Sequence, residues 1–377
     1  MAILYYLFSF LVTINIIVVV HEYGHYLAAK KIGVKVVTFS IGMGPEIFGW
    51  NDKHGTRWCF SLLPVGGYVM MLGDGDAASA TEDKELLEKL APEEKRFSFS
   101  EKSNWEKMCI SFCGPFFNYI YAFVVVIAMS FFHGLPSYPP VIGDVQKGSP
   151  AEKHGLLAGD RIISMDGEEI SKYRDVAIKV TEKESGSIDF VIKRNGKLLN
   201  VSIVPEIKET KSIMGEPKKT KLIGIRSGKP IFERKSLWDS LKLGFSTCVS
   251  ATGEMFMMFG KLFSGQKSLD DFGGVVHMAS VAGDLSQSGN FALLIMFTVT
   301  LSLNLGFINL FPLPILDGGR ILICLIEEII RKKLNEKLQE RIMIVCAALL
   351  IFLMLITTVN DILRIEAVNK LVSSFVE

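Results

Sequence analysis

The sequence has no surplus of charge of either sign. Its 377 residues include 41 Lys and Arg against 40 Asp and Glu, which leaves a formal net charge of +1. Without a basic surplus, the composition gives no indication of nucleic-acid binding. The six cysteines form no CxxC pair and mostly have apolar neighbours. Their spacing favours reduced packing residues over a disulfide framework or a zinc–thiolate site.

Charged residues are also missing from four long stretches, which cover Met1–Val20, Cys109–Phe132, Phe291–Leu316 and Ile342–Asn360. Each holds about 19–26 residues, enough to cross a hydrocarbon layer of about 30 Å. These stretches exclude a simple cytosolic enzyme and a disordered chain. The first lacks the basic start and the small-residue cleavage site of a signal peptide, so we expect a retained membrane helix.

The polar sequence between these stretches predicts two regions of β structure. Residues 36–72 are rich in β-branched residues and glycine without helical periodicity, which favours a hairpin or small sheet. Short strand-like runs separated by Gly, Pro and Asp across 137–226 favour a compact, mostly β soluble domain with one or two short helices. Residues 74–102 are charged and predict a loop. Residues 235–264 have the composition of an interfacial amphipathic helix.

The expected fold is a polytopic α-helical membrane protein with four transmembrane helices, a membrane-associated sheet and one α+β domain. The expected segments are helix 1–33, the hairpin region and loop 34–107, helix 108–133, the domain 137–228, the interfacial helix and loop 229–290, helix 291–330, and helix 331–377 with its tail. Lys and Arg near the ends of the spans concentrate in 30–107 and 331–341. The positive-inside rule makes that side cytoplasmic and the domain exoplasmic.

His21, Glu22 and His25 form the sharpest local signal, an HExxH motif that continues the first apolar stretch. Residues four apart share one face of a helix, so both imidazoles can bind one Zn²⁺ while Glu22 takes a proton from a metal-bound water. The alternative is a pair of ordinary interfacial histidines. An acidic residue at mid-span costs about 2.5–3.5 kcal/mol, which favours a functional reason for this motif.

Asp317 is the acid embedded in the apolar region of the third stretch. Zinc hydrolases usually need a third protein ligand and an open fourth position. Pro312 and Pro314 break the helix before Asp317, and irregular backbone at membrane depth is tolerated where it is buried in protein or lines a wet cavity. We predict Asp317 as the third ligand. The alternative is a capping residue at a helix break.

Five features occur together in a fixed order. They are the His21–His25 motif, the hairpin segments Gly42–Glu46 and Leu63–Tyr68, the run Gly114–Asn118 that opens the second span, the PDZ-like run Gly148–Gly167, and the run Asn309–Gly319. With these features the chain resembles the bacterial site-2 proteases, which are intramembrane zinc metalloproteases. It is most similar to the RseP-type regulators of sigma-E, and the resemblance covers nearly the whole chain.

The resemblance implies a Zn²⁺ cofactor held by His21, His25 and Asp317. Glu22 would be the general base. Asn304 and Asn309 would help to hold substrate or the oxyanion, with hydrogen bonding between helices as their alternative role. The implied partners are the lipid bilayer and single-span membrane-protein substrates, such as an anti-sigma factor or remnant signal peptides. The implied location is the bacterial inner membrane.

The chain departs from the family pattern in two places. Well-studied relatives carry two tandem PDZ domains, and one is evident here. Before the third span, the Gly-Pro-Val/Ile-Gly run of the family is replaced by Gly274-Val275-Val276-His277. We expect His277 to be a solvated loop residue rather than a ligand.

Cleavage of a transmembrane helix requires its local unwinding. The hairpin near Val65–Leu72 could add the unwound substrate as a further strand, and Gly66 and Gly67 would permit close backbone approach. Ordinary turns are the alternative for the two glycines. The PDZ-like domain is expected to admit substrates already shortened by another protease, with a simple spacer as the alternative.

Two other classes of protein compete with a protease. A non-proteolytic membrane scaffold would bind partners through its PDZ domain and keep a structural metal site, but such a site has no use for Glu22 as a base. A transporter is disfavoured because the sequence has four spans and no visible inverted repeat.

Overall fold

A computed structural model describes residues 2–75, 83–183, 185–211, 217–229, 231–265, 274–289 and 291–363. The chain divides into two compact units. The first unit joins Met1–Ile127 to Asp239–Glu377, and the second is Ala128–Trp238. The second unit is therefore an insertion within the first.

The amino-terminal part of the first unit combines helices with one bent sheet. Its elements are helix α1 (Ala2–Ile32), strands β1 (Val36–Asn51) and β2 (Arg57–Met71), and helices α2 (Lys84–Lys89), α3 (Pro92–Lys95) and α4 (Asn104–Ala128). The predicted loop at 74–102 was wrong in part, because Asp83 caps α2 through its side chain and Pro92 starts α3. Residues 76–82 of that loop lie outside the described residues.

Strands β1 and β2 fold back on themselves, so that two long strands make four paired segments. Phe39 of β1 has Val69 on one side and Trp58 on the other. Trp58 in turn pairs with Trp50 at the far end of β1. The resulting order is 67–71, 36–41, 57–60 and 46–51, with residues 67–71 as one edge. This arrangement agrees with the predicted sheet at 36–72.

The sheet packs on the first helix through a shared apolar core. Tyr26 of α1, Phe39 and Val69 of the sheet, and Ile110 of α4 are all buried in this cluster. The indole of Trp58 stacks on Phe39 with 4.3 Å between ring centroids. This core fixes the edge at 67–71 beside the helix that carries the HExxH motif.

The second unit is a small α+β domain with its own core. Its elements are strands β3 (Leu135–Ser137) and β4 (Ile142–Val145), helix α5 (Pro150–Lys153), strands β5 (Arg161–Met165) and β6 (Glu168–Glu169), helix α6 (Tyr173–Glu182), and strands β7 (Ile188–Arg194), β8 (Lys197–Ile203), β9 (Glu206–Lys211), β10 (Pro217–Leu222), β11 (Ile225–Ser227) and β12 (Ile231–Glu233). Four strands form a sheet in the order β6–β5–β7–β8. The domain is mostly β with two short helices, in agreement with the predicted β domain with one or two short helices.

The domain core follows from the alternation of its strands. Ile188, Phe190 and Ile192 of β7 point inward and are almost completely buried. Ile162 and Met165 of β5 are also buried although they are three residues apart, because the β5–β7 register shifts between Ile162 and Ser164. At the ends of the domain, β12 pairs antiparallel with β3. The chain therefore enters and leaves the domain through two adjacent strands.

The carboxyl-terminal part of the first unit is helical among its described residues. Its helices are α7 (Leu237–Phe263), α8 (Val275–Gln287), α9 (Phe291–Asn309), α10 (Asp317–Ile330) and α11 (Glu336–Leu363). Helix α7 matches the predicted amphipathic helix. The third predicted span was too long, because α9 ends at Asn309 and the two prolines of the 310–316 segment prevent its continuation.

Helix α8 begins where the sequence departs from the family pattern. Asp361 of α11 is buried and accepts hydrogen bonds from the backbone amides of Gly274 and His277, at 3.1 and 3.0 Å. The carboxylate thus caps the start of α8 from another helix. His277 is exposed, as predicted, but it lies on a helix rather than in a loop.

The described residues contain four helices that are long and apolar enough to cross a membrane. They are Leu4–Ile32, Asn104–His133, Phe291–Asn309 and Lys337–Ile362. The second includes the π-helical turn Met129–His133 after α4. Each helix overlaps one of the four predicted spans, although the third is shorter than predicted, and their length and composition are those of a membrane protein.

Candidate metal centre

The two histidines of the motif lie on one face of α1 and are both buried, at 6% and 9% exposure. The Nε2 atoms of His21 and His25 are 3.2 Å apart, and the ring planes are nearly perpendicular at 83°. The Nδ1 atom of His25 lies 2.9 Å from the backbone oxygen of Ile110. A carbonyl accepts only a proton donor, so Nδ1 of His25 carries the proton and its Nε2 presents a lone pair.

Close packing of α1 on α4 requires glycine on both helices. A Cβ atom on Gly24 would lie 2.3 Å from the backbone oxygen of Cys113. A Cβ atom on Gly114 would lie 2.2 Å from Nε2 of His25. Small residues let membrane helices approach closely. Here they bring the α4 backbone against the motif.

Asp317 reaches the histidines because the chain reverses sharply after α9. The backbone amide of Leu316 donates to Leu313 at 2.8 Å within this turn. A Cβ atom on Gly318 would lie 2.2 Å from the oxygen of Leu310, and one on Gly319 would lie 2.1 Å from the oxygen of Leu313. Only glycine fits at either position, and the tight fold places Asp317 at the first position of α10.

The carboxylate of Asp317 bridges the two imidazoles. One oxygen lies 3.1 Å from Nε2 of His21, and the other lies 3.3 Å from Nε2 of His25. Tetrahedral zinc with ligand bonds of about 2.0–2.2 Å separates its ligand atoms by about 3.3–3.5 Å. The three groups offer ligand atoms within 4.8 Å of one another. Their separations, together with the converging lone pairs, fit a zinc ion.

Glu22 lies beside this group and faces the edge of the sheet. The backbone amide of Val69 faces its carboxylate. A Cβ atom on Gly67 would lie 3.6 Å from Cγ of Glu22 and 2.7 Å from the oxygen of Ser40. Gly67 therefore lies between the paired strand and the helix, where a side chain would separate them.

Gly66 has a different requirement. Its φ of +81° lies in the left-handed region, which favours glycine. A Cβ atom there would come within 3.3 Å of the Met43 side chain. The contacts of both glycines are internal to the protein, so their predicted role towards substrate stays a prediction.

Asn309 and Asn304 occupy different sides of α9. The amide nitrogen of Asn309 lies 3.2 Å from Nε2 of His21, so this residue lies beside the candidate ligands. Residues five apart on a helix point about 140° from each other. Asn304 is half-buried on another side of the helix, and the structure does not bring it together with the predicted ligands.

Two further asparagines lie close to these elements and carried no assigned role in the sequence. Asn118 of α4 is completely buried, and its amide nitrogen lies 3.2 Å from Nδ1 of His21. Asn15 of α1 donates to the backbone oxygen of Pro64 in the sheet at 2.7 Å. The sequence feature that could have identified both residues is a polar side chain within an apolar span.

Comparison with known proteins gives the class of the molecule. The sequence profile of Peptidase family M50 matches residues 9–353. A protein of Mesorhizobium japonicum that carries a zinc-metalloprotease name is 34% identical over 338 residues, which are 89% of this chain and 92% of that protein. The Metalloprotease MmpA of Caulobacter vibrioides is 31% identical over 391 residues, covering 96% of each chain.

A solved structure is also similar to part of the chain. It is the PDZ domain of an SdrC-like protein from Listeria monocytogenes, with 22% identity, 24% of this chain and 86% of that chain covered, and a TM-score of 0.19.

The matched profile spans nearly the whole sequence, and the relatives match at almost full length. The protein is thus a membrane metallopeptidase. The chain belongs to peptidase family M50, and it is a zinc metalloprotease.

Proposed function

We propose that this protease cleaves peptide bonds within the transmembrane segments of other membrane proteins. His21, His25 and Asp317 would hold the zinc ion, and Glu22 would act as the general base. The observation that carries the proposal is the position of the ligand set. Two of the ligands lie on the candidate membrane-spanning helix α1, and Asp317 at the start of α10 meets them beside Asn309, the last residue of the candidate span α9.

The residues around the metal have separate tasks. Bound zinc would supply Lewis acidity towards a water molecule and the scissile carbonyl. Glu22 takes the proton of the attacking water and returns it to the departing nitrogen. The amide of Asn309 donates a hydrogen bond to the carbonyl oxygen as negative charge develops there. The Val69 amide and the space left by Gly67 hold the Glu22 carboxylate in place.

The substrate segment would be bound as a strand. A transmembrane helix hides its peptide bonds, so it must unwind and then satisfy its freed backbone groups. The edge segment 67–71 pairs with β1 on one side and faces Glu22 on the other. An added strand along Val65–Leu72 would bring the substrate backbone towards the base. Proline substitutions along this edge should reduce cleavage, and unchanged cleavage by every folded variant would exclude strand addition.

The tip of the sheet would lie within the lipid layer. Its large apolar side chains are strongly exposed, namely Met43, Ile47, Phe48, Leu62, Leu63 and Val65. Exposed apolar patches of this kind mark contacts with a membrane or a partner. This supports a membrane-associated sheet. The Lys and Arg residues near the ends of the spans, in 30–107 and 331–341, support a metal site towards the cytoplasm and an inserted domain on the exoplasmic side.

The inserted PDZ-like domain would control which substrates reach the site. Its entry and exit strands are paired, so it can be removed as a unit. Deletion of 140–226 should allow cleavage of substrates that have not been shortened beforehand. A spacer predicts no such gain. Single-span proteins such as an anti-sigma factor or remnant signal peptides are the proposed substrates.

The substitution Glu22→Gln tests the catalytic assignment. It preserves the shape of the side chain and removes the base, so the purified variant should bind zinc and fail to cleave a single-span test substrate. The wild-type protein in the same vesicles is the control. Retained cleavage by the variant would exclude Glu22 as the general base.

A further inference from the structure

Asn118 is the best-buried polar side chain in contact with the proposed zinc ligands. It lies on α4 with no exposed surface. Its Nδ2 atom is 3.2 Å from Nδ1 of His21. Its Oδ1 atom is buried and accepts no hydrogen bond from any described residue. A buried acceptor left without a donor destabilises the folded protein.

The nitrogen of His21 that binds the metal determines which hydrogen bond its other nitrogen can form with Asn118. The Nε2 atom of His21 is the one that faces His25, Asp317 and Asn309. A neutral imidazole that binds metal through Nε2 carries its proton on Nδ1. Ligating histidines almost always donate that second N–H to an oxygen. His25 has such an oxygen in Ile110, whereas the amide nitrogen of Asn118 faces His21.

We propose that Asn118 is a positioning residue whose side-chain oxygen accepts the Nδ1–H of His21 in the zinc-loaded protein. A half-turn of the carboxamide exchanges Oδ1 and Nδ2 with almost no change of shape. The turn replaces two facing N–H groups by a hydrogen bond and gives the buried oxygen a donor. The inference rests on the proposed ligand set, because it requires His21 to bind zinc through Nε2.

The surroundings hold Asn118 at the required place. The hydroxyl of Ser302 on α9 donates to the Asn118 backbone oxygen at 3.1 Å. Gly306 of the same helix allows close packing, since a Cβ atom there would lie 3.2 Å from Cβ of Asn118. Helix α9 also carries Asn309. One helix therefore fixes both asparagines that contact His21.

Two substitutions separate the oxygen from the rest of the side chain. Asn118→Leu keeps the number and branching of the side-chain heavy atoms and removes the acceptor. Asn118→Asp keeps an oxygen for Nδ1–H and removes the amide donor. The matched control is Tyr121→Phe, which deletes the 2.7 Å hydrogen bond between Tyr121 and Thr298 at the interface of the same two helices. Each purified full-length variant is checked for folding by its thermal transition.

The measured quantity is the zinc dissociation constant, obtained by competition with a chelator. We expect Asn118→Leu to weaken zinc binding by about 10–100-fold, as for other outer-shell partners of ligating histidines. Asn118→Asp and Tyr121→Phe should stay within about threefold of wild type. The visible spectrum of the cobalt-substituted protein should change in Asn118→Leu, because the orientation of the His21 ring is no longer fixed.

Either of two results would overturn the inference. The first is zinc binding by folded Asn118→Leu that equals wild type. The second is an equal loss in Asn118→Asp and Asn118→Leu, which would show that the amide nitrogen, not the oxygen, is the required group. If Asn118→Asp does not fold, the comparison of Asn118→Leu with Tyr121→Phe decides alone. Wild-type protein that binds no zinc would instead contradict the proposed function.

Discussion

At the scale of single residues, two glycines determine how closely the metal ligands are enclosed. Gly24 and Gly114 occupy the crossing of α1 and α4, where any larger side chain would meet backbone or His25. The HExxH motif is recognisable in the sequence because its two histidines are four residues apart and therefore share one face of a helix. The glycine on α4 is not recognisable in the same way, since its importance arises only when the two helices cross.

Gly114→Ala tests this enclosure. The added methyl group would lie 2.2 Å from Nε2 of His25, so the imidazole must move away from the metal position. We expect zinc affinity to fall at least about tenfold, in line with the loss of an orienting partner. Gly253→Ala on α7 is the matched control, because its methyl group meets no atom within 4 Å. Zinc titration of both variants is the measurement, and equal affinities would refute the steric role of Gly114.

At the scale of elements, the prediction of helices and strands succeeded where the local pattern is independent of tertiary contacts. The apolar length of α1, the prolines after α9 and the alternation in β7 each predict the local structure directly. The sequence could not predict that β1 pairs with two segments of β2. A strand with two partners shows the same alternation of side chains as a strand in a simple hairpin. The join between this sheet and α1 was likewise not predicted.

Asn15 provides that join. Its amide donates to Pro64 at 2.7 Å, and it lies about two turns before Glu22 on the same face of α1. The hydrogen bond therefore helps to align the segment from Pro64 to Val69 with the base. Its acceptor is a backbone oxygen, so the position of the sheet depends on the donor and not on the identity of the side chain at 64.

Asn15→Leu should reduce kcat/KM for cleavage by about three- to fifteenfold, the equivalent of an interhelical hydrogen bond in a membrane protein. Zinc binding should be unchanged, because Asn15 does not contact the ligands. Thr13→Val is the control, since the Thr13 hydroxyl donates only within its own helix, to Ser9. Kinetics on a membrane-spanning substrate provide the measurement. Full activity of Asn15→Leu would mean that the sheet is held without this bond.

At the scale of the whole molecule, the chain consists of two units with separate cores. The inserted domain is stabilised in part by a buried ion pair. Asp160 is almost fully buried and accepts hydrogen bonds from Nε and Nη2 of Arg194, at 2.7 and 2.6 Å, and from the Leu157 amide. Burial alone would raise the pKa of Asp160. The hydrogen bonds from Arg194 and Leu157 and the charge of Arg194 together have a larger, opposite effect, so the pKa lies below its ordinary value.

The lowered pKa of Asp160 determines the direction in which the stability of the domain changes with pH. A carboxyl whose pKa is depressed in the folded state contributes stability above its unfolded pKa of about 3.9, and that stability is lost as the pH falls towards the folded value. Asp160→Asn should lower the stability of the domain by about 2–3 kcal/mol at pH 7 and by less at pH 3. Calorimetry at both pH values measures this, with zinc affinity as the control. A loss of equal size at both pH values would contradict the ion pair as its cause.

One zinc ion is proposed to be bound by His21, His25 and Asp317. X-ray absorption at the zinc edge of the purified full-length protein tests this ligand set, with Asp317→Asn as the comparison. We predict one zinc per chain, with a first shell of imidazole nitrogen and carboxylate or water oxygen at about 2.0–2.2 Å, and a changed shell in the variant. A zinc–sulfur distance of about 2.3 Å, or a shell identical in Asp317→Asn, would contradict the account.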